Sequence, residues 1–355
     1  MAKNIFITDT YDEFLEVLRE AKLSSILLVC GKSARKQDIY DILAKAKDEL
    51  GIKIIEFNDF DPNPKIESAK KGVQVFEENC CDSIMSIGGG SAIDVAKTIK
   101  YYSKPDEILH ISVPTTAGSG SEKTQFAVIY ENGEKISISD ARLLPEIVIY
   151  DNKVLSSLPL YQKKSTSMDA LSHAIESYWS VNSTDESKNL AKKAIELVLG
   201  NIEKYIAGED DVNGKMFLAS DFAGQAINIT KTTAGHAMCY KLTTKYGISH
   251  GHAASLCNRV LWKHMIQNTK ECADPRGTAY LDKTFNELSA LFGGKDACDG
   301  YKAFAKILEK LSFDPIEINS ADYEMLSESV NLERLKNNPV VLSKETLMQL
   351  YGEIK

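Results

Sequence analysis

Half of the six histidines in this 355-residue chain fall within residues 232–253, TTAGHAMCYKLTTKYGISHGHA. Imidazoles are ready ligands for divalent cations, so the crowding points first to metal chemistry. On one straight helix His236 and His250 would share a face yet stand about 21 Å apart, at 1.5 Å of rise per residue. One ion could reach both only if the chain turns back between them, and Gly247 in YGISHG offers that break. A second donor pair lies upstream in MDALSHAIESYWS (168–180), where Asp169 and His173 are four apart on a helical pattern and point to one face. Ala170, Leu171, Ala174 and Ile175 are apolar, so this pair is expected to be buried, and a cation would partner it there. His236 and His250 can then supply two further ligands. His252 reads as a residue behind that set or at the surface, His110 and His264 as structural, and Cys239 as packing.

Glycine is the other chemical signal. GGGSAIDVAK (88–97) follows the apolar run SIMSI and opens a helical pattern. Bare backbone N–H groups at a helix N-terminus favour an anion such as a diphosphate. The run is neither GxGxxG nor GxxxxGK[ST], so neither common nucleotide fingerprint applies. PTTAGSGSE (114–122) is a second small-residue turn after a strand-like run, ILHISVP. Two such loops at the carboxyl ends of strands in one sheet mark a ligand crevice.

The elements that must carry these residues differ between the two halves. Residues 1–158 alternate apolar runs at 24–30, 52–57, 83–87, 108–114 and 146–151 with helical stretches at 38–50 and 91–102. A hairpin is expected over 126–139, turning at Asn132-Gly133. The pattern predicts an α/β domain with a parallel sheet and helices on both faces. From 159 to 355 the strand signal nearly vanishes, which predicts an all-α, metal-binding domain. The net charge of −8 speaks against a nucleic-acid partner, and no apolar run is long enough to span a membrane. The amino terminus lacks the pattern of a secretory signal. Seven cysteines without a CxxC pair read as reduced thiols, so a cytoplasmic location is expected.

NPKIES (63–68), GGGSAIDVAK, PTTAGSGSE, DALSHAIESYWS (169–180) and the histidines at 236 and 250 together resemble the iron-dependent (group III) alcohol dehydrogenase family, in order and spacing, over most of the chain. The resemblance implies that residues 1–158 are a Rossmann-like dinucleotide-binding domain and that Asp169, His173, His236 and His250 ligate the metal. With a fourth ligand that is histidine it favours Fe2+, with Zn2+ as the alternative. It places Gly88, Gly89, Gly90, Ser91, Asp94, Thr115, Thr116 and Ser119 at the cofactor, with Asn63 of NPKIES. It allows a homodimer, although the sequence carries no self-pairing signature. The implied reaction is reduction of a small aldehyde to a primary alcohol by a nicotinamide cofactor.

The chain departs from the family pattern at two positions. Where the family often has a proton-relaying histidine, four residues after the third ligand, this chain has Tyr240; a phenol can donate a proton at neutral pH. Where NAD-specific members often have an aspartate for the ribose diol, this chain has Gly31. Lys32, Ser33, Arg35 and Lys36 follow and could neutralise a 2′-phosphate, so NADP(H) is expected to be favoured over NAD(H). Lys231 precedes His236 by five residues; on a shared helix it would lie about 7 to 8 Å away along the axis. With Thr232, Thr233 and Arg259 it could hold an anionic substrate group. DALSHAIESYWSVNST and INITKTTAGHAMCY are similar to the branch that reduces phosphonoacetaldehyde. The rival readings are a general short-chain alcohol or diol dehydrogenase, a sugar-phosphate cyclase, for which the helical half offers few lysines and arginines, and a relative that binds metal and nucleotide without catalysis.

Overall fold

The computed structural model describes residues 3–7, 10–103, 107–132 and 134–354. Gly133, half of the expected hairpin turn, lies outside the described residues. The chain divides into two compact units, Met1–Leu158 and Pro159–Lys355.

The first unit runs β1 (Lys3–Ile7), α1 (Asp12–Ala21), β2 (Ser25–Cys30), α2 (Asp38–Leu50), β3 (Lys53–Phe57), α3 (Ile66–Glu78), β4 (Ser83–Gly88), α4 (Gly90–Tyr102), β5 (Leu109–Pro114), β6 (Phe126–Glu131), β7 (Glu134–Ser139) and β8 (Ile147–Asp151). Six of the strands form one sheet in the order β1-β8-β5-β4-β2-β3, and every neighbouring pair is parallel. β6 and β7 make the expected antiparallel hairpin, with Phe126 opposite Ser139. The inner strands SILLVC and SIMSIG are buried at every residue, which requires cover on both faces. That cover sorts by pleat. Ile26, Leu28 and Cys30 pack with Phe14, Leu18, Ile39 and Leu43 of α1 and α2. Leu27 and Val29 point the other way, to Phe76 of α3 and to Val95 and Ile99 of α4. The chain leaves β2 outward to β3 and returns on the far side of β2 as β4, so the order reverses between β2 and β4. Open α/β sheets bind ligands at such a reversal, beyond the carboxyl ends of the strands.

The second unit is helical: α5 (Leu160–Trp179), α6 (Asp185–Ala207), α7 (Asn213–Thr230), α8 (Ala234–Tyr246), α9 (His250–Gln267), α10 (Thr278–Leu291), α11 (Ala297–Leu311), α12 (Tyr323–Glu328), α13 (Leu332–Leu335) and α14 (Lys344–Glu353). α5 is buried without a break from Ser167 to Trp179 and packs against α6, α7 and α9. Its polar residues therefore need partners inside the unit. Among the described residues no helix is long and apolar enough to cross a membrane.

Candidate functional site

In the first unit the loops after β4 and β5 lie side by side. The Thr115 N–H donates to the Gly88 carbonyl at 2.9 Å. A Cβ on Gly89 would sit 3.2 Å from Thr116 Oγ1, and one on Gly90 would sit 3.0 Å from Ser119 Oγ. A Cβ on Gly88 would come within 2.6 Å of the Ala92 methyl. The three glycines are thus bare because the neighbouring loop and the first turn of α4 fill the space. No side chain caps α4 at Gly89, which leaves its first N–H groups suited to an anion. Ser91 Oγ donates to the Pro62 carbonyl at 2.5 Å, which brings the Asn63 turn to the start of the same helix. Asp94 is committed elsewhere: its carboxylate accepts from Ser121 Oγ at 2.5 Å and from the Val128 N–H at 3.0 Å. Lys97, buried, donates to the carbonyls of Thr124 at 2.7 Å and Phe126 at 2.8 Å. Both side chains tie α4 to the segment that follows the second loop.

After β2, Gly31 has open space where a side chain would project, and Lys32, Ser33 and Lys36 are exposed. Arg35 departs from the expectation of a free cation. Its Nη2 lies 2.5 Å from Glu56 Oε1 and its Nε 2.9 Å from the same oxygen, and Tyr40 donates to Oε2 at 2.8 Å. The carboxylate on the adjacent strand β3 has already taken the guanidinium.

In the second unit Asp169, His173 and His236 each turn a ligand atom to a common point, all within 4.8 Å of one another and all buried. The rings of His173 and His236 stack at 4.2 Å. Gly247 provides the break between the distant histidines: it ends α8 at φ 70°, and α9 starts at His250. The His250 ring centroid stands 5.3 Å from that of His236, beside the three-residue group, and its Nδ1 is 3.6 Å from Cys239 Sγ.

Behind His236 stands Glu176, which the sequence reading did not single out. Its Oε1 accepts from His236 Nδ1 at 2.5 Å and from Asn258 Nδ2 at 2.9 Å. Its Oε2 accepts from the N–H of Thr233 at 2.7 Å, from Thr233 Oγ1 at 2.8 Å and from the N–H of His236 at 3.3 Å. Thr233 precedes the first residue of α8 but makes no side-chain cap of its own, so Glu176 caps the helix from α5. By engaging Nδ1 it directs Nε2 toward Asp169, 3.4 Å away. Burial opposes the charge on Glu176, but His236 and the surrounding donors overcome it and bring the carboxyl down to about 2. Burial likewise opposes charge on His236, yet Glu176 and Asp169 lift the imidazole to about 9. Asp169 is held well below the usual carboxylate range: burial opposes its charge, and His173, His250 and His236 outweigh it. Two buried carboxylates around one set of imidazoles form a site in need of positive charge. A carboxylate with imidazole nitrogens suits a first-row divalent ion such as Fe2+ or Zn2+.

Two glycines let the three helices approach this closely. A Cβ on Gly251 would overlap the Ser165 carbonyl and lie 2.7 Å from Asp169 Cβ. A Cβ on Gly235 would overlap Asn258 Oδ1 and lie 2.6 Å from Glu176 Oε1. Gly235→Ala is therefore expected to lower stability by about 2–3 kcal/mol, through overpacking and a displaced carboxylate. Urea unfolding of the metal-free protein measures this; an unchanged midpoint would show that the space is not tight.

Other expected residues fall differently. Lys231 does not share a helix with His236: α7 ends at Thr230, α8 starts at Ala234, and Lys231 between them has φ 59°. The estimate of its distance along one axis therefore fails, and its side chain is exposed. Tyr240 is half-buried, with its ring parallel to that of His250 at 5.6 Å. His252 is buried rather than at the surface, stacked on Phe313 at 4.0 Å. Arg259 lies half-buried on α9.

Comparison with known proteins covers both units. The family described as "Iron-containing alcohol dehydrogenase" matches residues 2–152, and "Fe-containing alcohol dehydrogenase family, C-terminal" matches residues 163–354. Aldehyde-alcohol dehydrogenase 2 of Entamoeba histolytica is 31% identical over 347 residues, which cover 86% of this chain but only 39% of that longer protein. Phosphonoacetaldehyde reductase of Streptomyces viridochromogenes is 28% identical over 300 residues, covering 77% of this chain and 76% of that protein. Among solved structures, sulfoacetaldehyde reductase from Bifidobacterium kashiwanohense in complex with NAD+ aligns with a TM-score of 0.86 at 25% identity, over 99% of this chain and 96% of that one. An iron-containing alcohol dehydrogenase from Thermotoga maritima aligns with a TM-score of 0.84 at 29% identity, over 99% and 97%. With both the glycine-loop unit and the metal-donor unit matched, the chain belongs to the iron-containing alcohol dehydrogenase family.

Proposed function

We propose that this protein is a metal-dependent NAD(P)H oxidoreductase that reduces a small anionic aldehyde, of the phosphonoacetaldehyde type, to a primary alcohol, with NADPH preferred. The observation that carries the reading is the buried convergence of Asp169, His173 and His236 within 4.8 Å, with Glu176 behind His236. These three residues and His250 would hold Fe2+, or Zn2+ as the alternative; when bound, the ion polarises a carbonyl while the nicotinamide supplies the hydride. Glu176 keeps His236 in the tautomer that offers Nε2. Burial pushes the Tyr240 phenol up to about 12, so it stays protonated at neutral pH and can donate to the product oxygen. The glycine loop, Thr115, Thr116 and Ser119 would receive the cofactor diphosphate. Lys231, exposed at the helix break, can reach toward an anionic substrate group. Two relatives are named for the reduction of phosphonoacetaldehyde and sulfoacetaldehyde, both aldehydes that carry an anion. The seven free cysteines suit a reducing, cytoplasmic setting.

The test is NADPH oxidation by the iron-loaded protein with phosphonoacetaldehyde, sulfoacetaldehyde, propanal and glycolaldehyde. Turnover with preference for the charged aldehydes is expected. Turnover without that preference would favour a general alcohol dehydrogenase, and no turnover with any of them would overturn the reading.

The cofactor preference has its own test. A side chain at Gly31 meets no steric barrier. Gly31→Asp is expected to lower kcat/KM for NADPH relative to NADH by at least about tenfold, because a carboxylate would accept a ribose diol and repel a phosphate. An unchanged ratio would detach Gly31 from cofactor choice.

A further inference from the structure

Beside the metal donors lies a cation that neither the sequence reading nor the reaction chemistry has used. Arg334, on α13, is half-buried, and its Nη1 donates to Thr232 Oγ1 in the break between α7 and α8. Its guanidinium lies 5.9 Å from the centroid of the Tyr240 ring, on a residue whose ring in turn lies parallel to His250. Among the described residues no carboxylate pairs with it; its neighbour Glu333 binds Lys336 at 2.6 Å instead. The segment around it is well anchored: Asn337 Nδ2 donates to the Thr232 carbonyl at 3.0 Å, and Asn337 Oδ1 accepts from Asn182 Nδ2 at 2.8 Å. A half-buried guanidinium ordinarily finds an acid, since it offers five N–H donors in a planar fork. Here one of those donors goes to a hydroxyl, and among the described residues no acid meets the rest.

We propose that Arg334 is the substrate's anion-recognition residue, gripping the terminal phosphonate or sulfonate of a short aldehyde whose carbonyl end lies at the metal donors. The placement is right for the task. Arg334 and His250 both stand against the Tyr240 ring, 5.9 Å and 5.6 Å from its centroid, so one short molecule can face both. Thr232 holds the guanidinium in place, and the fork matches two oxygens of a tetrahedral oxyanion. A carboxylate at this point would have neutralised the cation before substrate arrived; Arg35 in the other unit, already bound by Glu56, shows what that looks like. The inference rests on the aldehyde-reductase reading and adds to it the residue that selects the substrate class.

The test compares kcat/KM for phosphonoacetaldehyde with that for propanal in the wild type, Arg334→Met, Arg334→Lys and Lys231→Ala. It adds calorimetric binding of methylphosphonate to the metal-loaded protein, which needs no turnover. The ratio of charged to neutral substrate is expected to fall about 100-fold in Arg334→Met, mainly through KM, with partial recovery in Arg334→Lys. Methylphosphonate affinity should fall in parallel. Equal losses on both aldehydes would make Arg334 a structural anchor of its segment and overturn the proposal. A ratio that moves in Lys231→Ala but not in Arg334→Met would overturn it in favour of Lys231. Should the wild type reduce no aldehyde, the reaction assignment fails, while methylphosphonate binding still decides the role of Arg334: loss of binding in Arg334→Met upholds it, and binding unchanged by the substitution rejects it.

Discussion

His173→Ala is expected to leave the protein without stoichiometric metal and to lower kcat/KM for its aldehyde by about 1,000-fold or more. Removing His173 takes away one of three buried donors within 4.8 Å of one another. A metal that polarises a carbonyl contributes several kcal/mol to the barrier, and each 1.36 kcal/mol is a factor of ten. The fold should survive, because the loss leaves Glu176, the cap of α8 and its partners in place. Plasma emission spectrometry after gel filtration, beside steady-state kinetics, checks both halves. A variant that keeps one ion per chain and loses less than tenfold in activity would remove His173 from the ligand set.

The second large effect belongs to Glu176, and it separates stability from chemistry. Glu176→Ala would strand the N–H of Thr233, the amide of Asn258 and His236 Nδ1 in a buried space. Breaking such a set by removing one partner costs about 3–5 kcal/mol. Glu176→Gln keeps the volume but removes the charge, and is expected to weaken metal binding by about 10- to 100-fold, as loss of a partner behind a ligand imidazole does. The pH dependence has a definite sign. The folded carboxyl titrates at about 2, against an ordinary value of 4.5, so its stabilisation is present above pH 4.5. It fades as pH falls from 4.5 toward 2. In the metal-free protein the stability gap between wild type and Glu176→Gln should therefore narrow across that window. Urea unfolding at pH 7 and at pH 3 measures it, and a gap that widens on acidification would contradict the assignment of charge.

Much of the architecture was legible because the relevant signals are local. The inner strands are unbroken apolar runs, and the Asp169–His173 pair shows its spacing on one helix face. The turn that returns His250 to His236 is marked by Gly247, whose φ of 70° suits glycine. The strand KNIFI escaped because it is a five-residue edge strand with its first two residues exposed, too short and too polar to stand out. Glu176 escaped for a different reason. It lies seven residues after Asp169 and three after His173, on the same face, but a buried glutamate and a surface glutamate are written alike. Its partners Thr233, His236 and Asn258 are 57, 60 and 82 residues away. The break at Lys231 was hidden in the same way: no glycine or proline marks it, and the new helix begins where a distant carboxylate caps it. The ion pair of Arg35 is not legible in its own segment, because Glu56 lies on the neighbouring strand.

The most direct measurement is anomalous diffraction at the iron and zinc edges from crystals of protein purified without oxygen. The account predicts one ion per chain, within about 2.0–2.2 Å of an Asp169 oxygen and of imidazole nitrogens from His173, His236 and His250. An ion bound elsewhere, or these four side chains turned away from a common point in protein saturated with Fe2+ and Zn2+, would contradict it.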